Sequence, residues 1–146
     1  NNDEDWEETG QGVQTFRNTD ISFSPNAIAG GSATVEPFYG KTGGHRLFLD
    51  LTEKYVGRQY LDNSSNKLKS INPYALTNIS IRYFVPSNIF KELGIILTAN
   101  NIFNKKYENN GYTYSYYFNN SATLATENYY FPQAGTNWNV GINFTF

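Results

Sequence analysis

The stretch NWNVGINFTF, Asn137 to Phe146, decides the fold. Its even positions are apolar: Trp138, Val140, Ile142, Phe144 and Phe146. Its odd positions, Asn137, Asn139, Gly141, Asn143 and Thr145, are polar or small. Successive side chains of a β-strand point to opposite faces, so this strand has one wholly apolar face. An apolar stripe at a chain's end suits a transmembrane β-barrel better than a soluble domain, whose termini fray into water. In a barrel one face meets lipid, the other meets a polar lumen, and about ten tilted residues cross the bilayer. Trp138 and Phe146 then fall in the two aromatic girdles, Phe146 at the periplasmic rim. The competing reading places the same residues against a second sheet in a soluble protein.

Working upstream, four more strands are predicted over residues 28–38, 45–60, 74–85 and 93–107, with 137–146 as the fifth. In the second, Leu47, Leu49 and Leu51 share one face, and Phe48, Asp50, Thr52, Lys54, Val56 and Arg58 the other. The third sets Thr77, Ile79, Ile81, Tyr83 and Val85 against Asn78, Ser80 and Arg82. The fourth aligns Leu93, Ile95, Leu97 and Ala99. Asp50, Lys54, Arg58 and Arg82 are candidate lumen-facing residues, as solvated ion pairs in the simplest case. Glu53 points with the leucines. It belongs near an interface, where a charge costs about 0–1 kcal/mol rather than about 2–4 at the midplane.

The connections alternate in length: residues 41–44 and 86–92 are short, 61–73 and 108–136 long. Antiparallel strands put both short links at one end and both long ones at the other. That is the asymmetry of periplasmic turns and extracellular loops. Five strands cannot close a barrel, for which about eight is the small end, so further strands must come from the rest of the polypeptide. The start, NNDEDWEETG, has neither Met nor a signal peptide, and is expected to lie in mid-sequence of a longer exported protein.

Composition narrows the function classes. The formal net charge of −2 over 146 residues offers no polycation for nucleic acid. Mean hydropathy is −0.55, and no run of about 18 apolar residues predicts a membrane helix, a test that half-apolar barrel strands escape. Without cysteine there is no disulfide, thiolate metal site or thiol nucleophile. His45 is the only histidine and falls at a short turn; no histidine pair for a metal site and no G-x-S-x-G nucleophile motif appear in the sequence. The run from Asp3 to Glu8 reads as a solvated acidic loop. No enzyme, cofactor or metal is expected. The 12 tyrosines concentrate in the 108–136 loop, at Tyr112, Tyr114, Tyr116, Tyr117, Tyr129 and Tyr130, with Phe118, Phe131 and the asparagines 109, 110, 119 and 120 between them. Tyr and Asn supply rigid contact area and hydrogen bonds, so these tyrosines are the candidate ligand-binding residues. The bland alternative is a hairpin projecting above the membrane, its aromatics packed on one another.

Three segments carry a family resemblance: KYVGRQYLDN (Lys54 to Asn63), LTANNIFNKKYENNGY (Leu97 to Tyr112) and YYFPQAGTNWNVGINFTF (Tyr129 to Phe146). Together they resemble the C-terminal end of a TonB-dependent outer-membrane receptor of the Bacteroidetes type. Asn101 to Tyr107 fit the pattern N-[LI]-F-[DN]-K-x-Y at the end of an ascending strand. The resemblance implies an all-β chain of antiparallel strands, residues 1–146 forming the last part of a 22-stranded transmembrane β-barrel in the bacterial cell outer membrane. It implies a plug domain, absent here, and an inner-membrane TonB complex that acts through an N-terminal region also absent. The implied partners are outer-membrane lipid, the remaining barrel and plug, the barrel-assembly machinery and a small-molecule nutrient. Asp50, Lys54, Arg58 and Arg82 could then touch the plug. Trp138 to Phe146 would double as the assembly signal. Among siderophores, haem, cobalamin and glycans as cargo, NNIFNKKY resembles siderophore-type iron receptors more than glycan importers. The alternatives are a soluble, aromatic-rich carbohydrate-binding β-sandwich and a non-transporting outer-membrane barrel.

Overall fold

Period-two alternation in five separate segments becomes one antiparallel sheet. The computed structural model describes residues 15–39, 43–89, 91–117 and 124–146. The acidic run Asp3 to Glu8 lies outside them, as do Phe118, Asn119 and Asn120. The described chain is all-β: β1 Ile28–Val35, β2 Arg46–Val56, β3 Gln59–Tyr60, β4 Ser70–Ile71, β5 Tyr74–Pro86, β6 Glu92–Asn100, β7 Glu108–Tyr117, β8 Leu124–Pro132 and β9 Asn137–Thr145. The five-stranded sheet has the order β1-β2-β5-β6-β9, while β3-β4 and β7-β8 are separate two-stranded pairs.

Register turns the stripes of single strands into a surface. One cross-strand row reads Val35, Leu49, Ile81, Leu97, Val140. Rows on the same face read Ala33, Leu51, Ile79, Ala99, Trp138 and, below, Leu47, Tyr83, Ile95, Ile142. The opposite face carries Thr34, Asp50, Ser80, Thr98 and Asn139 in one row. A one-residue slip in any strand would mix the two faces, so the pattern itself specifies register. Yet the apolar face is bare. Val140 keeps 73% of its exposure, and Leu49, Leu51, Ile79, Ile81, Ile95, Ile142 and Phe144 are also exposed. The strands β1 and β9 are edges, each paired on one side among the described residues.

Apart from Gly94, which lies against the Phe84 ring, the buried residues among those described gather at the end that carries the long connections. Val56, Leu61, Ile71, Tyr74 and Ala99 are buried there, with Gln59, Ser70 and Asn101. The Tyr74 and Tyr107 rings meet at 4.5 Å. The segment before β1 is tied alongside by Phe23 N–H to the Tyr60 carbonyl (2.8 Å) and Asn26 N–H to the Arg58 carbonyl (3.1 Å). Within the 61–73 connection Asp62 accepts from Lys69 Nζ at 3.0 Å and from the Ser64 hydroxyl. Asn66 caps a single 3-10 turn through Leu68 N–H.

Strand ends depart from the sequence-based expectation for identifiable reasons. The first strand stops at Val35, because Pro37 has no N–H to donate and a turn begins there. The second stops at Val56. Gly57 is packed so closely that a Cβ would lie 2.1 Å from Asn26 Oδ1. The fourth stops at Asn100, because Asn101 and Asn104 both take φ of 51°, a left-handed conformation that Asn tolerates and a strand does not. The 108–136 segment, expected as a loop, contains the β7-β8 hairpin.

Candidate functional site

The hairpin is built from two unlike faces. Strand pairing sets Tyr112 opposite Tyr129, Tyr114 opposite Glu127 and Tyr116 opposite Ala125 on one face. Gly111 opposite Tyr130, Thr113 opposite Asn128 and Ser115 opposite Thr126 occupy the other. The second face is moored to the 61–73 connection. Asn128 Nδ2 donates to the Leu68 carbonyl at 2.8 Å, and Lys69 Nζ donates to Ser115 Oγ at 3.1 Å. Mooring one face leaves the tyrosine face outward.

On that face one carboxylate organises three phenols. Glu127 accepts hydroxyl hydrogen bonds from Tyr129 (2.6 Å), Tyr116 (2.7 Å) and Tyr114 (2.8 Å). These bonds favour the ionised acid and hold the Glu127 carboxyl below its usual range, Tyr129 contributing most. Ionising a phenol beside that carboxylate would forfeit the bond, so Tyr114, Tyr116 and Tyr129 are all pushed up, chiefly by Glu127. The rings form a ladder. Tyr112 and Tyr129 stack at 5.0 Å, Tyr114 and Tyr129 at 6.1 Å, and Tyr114 and Tyr116 at 5.8 Å. Phe131 leans against Tyr112 at 6.2 Å with a 44° tilt. Such ring pairs contribute roughly 0.5–1.5 kcal/mol each beyond their area.

The hairpin's base is fixed by the NNIFNK segment. Asn101, only 4% exposed, donates from Nδ2 to the Lys105 carbonyl (2.9 Å) and the Ala134 carbonyl (3.3 Å). Its Oδ1 accepts from Lys105 N–H at 2.8 Å, and its backbone carbonyl accepts from Thr136 Oγ1 at 2.7 Å. Asn101 N–H in turn donates to Asn78 Oδ1 at 2.9 Å. A single left-handed Asn thus ties the end of β6 to β5 and to both feet of the hairpin. An open groove lies between the pre-β1 segment, β3 and β7-β8, its side-chain lining made of Phe23, Gln59, Asn109, Asn110, Tyr112 and Phe131.

No family model, curated protein or solved structure matches this chain. Function is therefore read from geometry and residue chemistry.

The six tyrosines expected to act together are divided. Tyr112, Tyr114, Tyr116 and Tyr129 share the outward face. Tyr130 belongs to the moored face, its hydroxyl 3.4 Å from the Ser70 carbonyl. Tyr117 pairs with Leu124 in register. Of the four candidate lumen residues, Asp50 and Arg82 meet in a bidentate pair at 2.7 and 2.9 Å, with Thr34 Oγ1 donating to Asp50 at 2.8 Å. Arg82 and Arg46 both lie over the Phe48 ring, at 4.7 and 4.6 Å. Lys54 shares that face and makes no ion pair among the described residues. Arg58 does not share it. The chain has left the sheet after Val56, and Arg58 Nη1 donates to Ser70 Oγ (2.7 Å) and Asn72 Oδ1 (3.3 Å). Glu127, Gln59 and Phe23 were not anticipated. Glu127 alternates in phase with Tyr129, but only the β7-β8 register reveals Tyr114 opposite it.

Proposed function

We propose that this chain is the C-terminal part of a TonB-dependent receptor barrel in a bacterial outer membrane, serving uptake of a scarce nutrient of the siderophore-chelate kind. One observation supports it above others: a five-stranded antiparallel sheet has an exposed, mostly apolar face, a mostly polar opposite face and, among the described residues, two open edges. Lipid hydrocarbon suits such a face. Trp138 to Phe146 spans eight residue steps, about 26 Å of strand and about 19 Å of depth at a tilt near 45°. That approaches the apolar band of outer-membrane barrels, about 25 Å tall. The one carboxylate on this face, Glu53, sits at its rim and accepts from the Thr77 hydroxyl. Hydrocarbon tolerates no unpaired strand edge, so β1 would continue into earlier strands of the full barrel, and β9 would close on its first. A soluble sandwich instead needs a second sheet over Leu49, Ile81 and Val140. The other described strand pairs lie at the end of the sheet rather than over this face.

In this reading the polar face lines the lumen, where the Asp50–Arg82 pair could contact the plug. The TonB complex acts through the N-terminal region, and the Phe146 stripe addresses the assembly machinery. The test is to express the full-length protein in its host with an epitope inserted between Tyr117 and Leu124. Recovery in the outer-membrane fraction, heat-modifiable gel mobility and antibody labelling of intact cells are expected. A folded protein in the soluble fraction would overturn the reading.

A further inference from the structure

We propose that the groove between the pre-β1 segment, β3 and the hairpin base is a binding subsite for an uncharged, polyhydroxylated ring: a sugar unit of the ligand. This rests on reading the long-connection end as the side that receives ligand. The lining consists of three aromatic rings, Phe23, Tyr112 and Phe131, and three amide side chains, Gln59, Asn109 and Asn110, with no charged residue.

Three local irregularities converge there, each with its own cause. Phe23 holds φ at 58°, a conformation in which a bulky aromatic is a genuine outlier, and one of the places where strain marks function. Backbone bonding retains it: Phe23 N–H donates to the Tyr60 carbonyl, and Ser22 N–H donates to Asn63 Oδ1 at 3.0 Å. Asn109 is the extra residue of a β-bulge, because the β7-β8 register steps from Glu108–Pro132 to Asn110–Phe131. Bulges re-aim side chains, and here the re-aimed side chain lines the groove. Gln59 is 8% exposed, yet its amide makes no side-chain hydrogen bond among the described residues, and it too lines the groove. Its amide is not sealed from solvent, so it can exchange water for a ligand hydroxyl at little cost. Gly111, two residues after the bulge, admits no side chain, since a Cβ would lie 2.6 Å from the Tyr129 carbonyl oxygen.

The chemistry of the lining selects the ligand class. A pyranose offers a flat C–H face to stack on an aromatic ring, and adjacent hydroxyls that an amide can bond as donor and acceptor together. The 44° tilt between Tyr112 and Phe131 leaves a wedge rather than a closed stack. An anionic chelate finds no cation in the groove, and Glu127 is close by on the tyrosine face. The groove therefore suits an uncharged, hydroxylated part of a ligand rather than the anionic metal-binding part of a chelate.

The experiment is saturation-transfer NMR on the full-length protein in a non-glycosidic detergent. The probes are hexasaccharides of glucose (α- and β-linked), xylose and mannose, with an anionic ferric tris-catecholate for comparison. At least one saccharide is expected to receive saturation at its ring C–H protons. Phe131→Ala should weaken that binding about fivefold, and Gln59→Ala by a similar factor. Phe131→Tyr should retain it, and Ile89→Ser, in the short link at the far end, should leave it unchanged. Phe131→Leu serves if the alanine variant fails to fold. Two results overturn the proposal: no saccharide receives saturation, or one does and the Phe131 and Gln59 variants bind it as the parent does. Sugar binding by a soluble protein would keep the groove and sink the barrel; a membrane-embedded protein blind to every saccharide would do the reverse.

Discussion

Replacing Leu97 with arginine separates lipid from water as the partner of the apolar face. Leu97 stands in the row of Val35, Leu49, Ile81 and Val140. The row of Ala99 and Trp138 lies two residues above it, and the row of Leu93 and Phe144 four below. At about 3.3 Å per residue and a tilt near 45°, those steps are about 5 Å and about 9 Å of depth, which puts Leu97 close to mid-membrane. Arginine at that depth costs about 2–4 kcal/mol, roughly a thirtyfold to several-hundredfold loss in the folding equilibrium. Thr98→Arg is the internal control: one residue along, it faces the polar side beside Ser80 and Asn139. Thr77→Arg is the depth control, beside Glu53 at the rim, with an expected cost of about 0–1 kcal/mol. Urea unfolding of the full-length protein from lipid vesicles, followed by heat-modifiable gel mobility, gives all three values. If water covered this face, an arginine at a partly exposed position would stay near ±0.5 kcal/mol, as surface substitutions do. Equal costs for Leu97→Arg, Thr98→Arg and Thr77→Arg would refute the membrane reading.

Three other outcomes are expected. Removal of Phe146 from the full-length protein should lower its yield in the outer membrane several-fold, read by quantitative blotting of fractions; normal assembly would remove the signal role of the terminal stripe. The Glu127 clasp has a defined pH window. A lowered carboxylate contributes stability above its ordinary range, and that contribution is lost as pH falls through the folded-state value below 4.5. The raised phenols contribute below about 10 and lose their contribution as pH climbs through their folded-state values. The tyrosine near-ultraviolet circular dichroism should therefore hold steady between these limits and fall at the acid end; an identical acid transition in Glu127→Gln would show that the clasp is not its source. Asn101→Ala should destabilise the protein by about 1–3 kcal/mol in denaturant unfolding, since it forces alanine into a left-handed turn and leaves buried carbonyls unbonded. Asn101→Gly should be milder, because it restores the backbone freedom but not the amide bonds; equal losses would assign the whole effect to the side chain.

Much of the sheet was legible because alternation is a local property. Leu47, Leu49 and Leu51, or Trp138, Val140 and Ile142, declare a common face without reference to any other strand. The sorting of short and long links was equally plain. The ends of strands were not. Asn101 reads as a polar continuation of its strand, and only its left-handed φ and its bonds to Lys105, Ala134 and Thr136 make it a stop. Arg58 alternates correctly with Asp50 and Lys54 and still leaves their face, because the close packing of Gly57 against Asn26 breaks the strand first.

The sequence by itself determined which residues of a strand share an apolar face, because a strand's two faces follow from backbone geometry alone. It determined too that His45 is the only histidine and that the chain holds no thiol. Only the tertiary structure decided what the tyrosines do. The β7-β8 register places Glu127 under three phenols and separates Tyr130 from them, and the mooring to Leu68, Lys69 and Ser70 chooses which face looks outward. The groove likewise draws on residues 23, 59, 109–112 and 131, which no window along the chain brings together. Such sites depend on distances between segments far apart in sequence, and those distances are set by long-range pairing rather than by any residue's own preference.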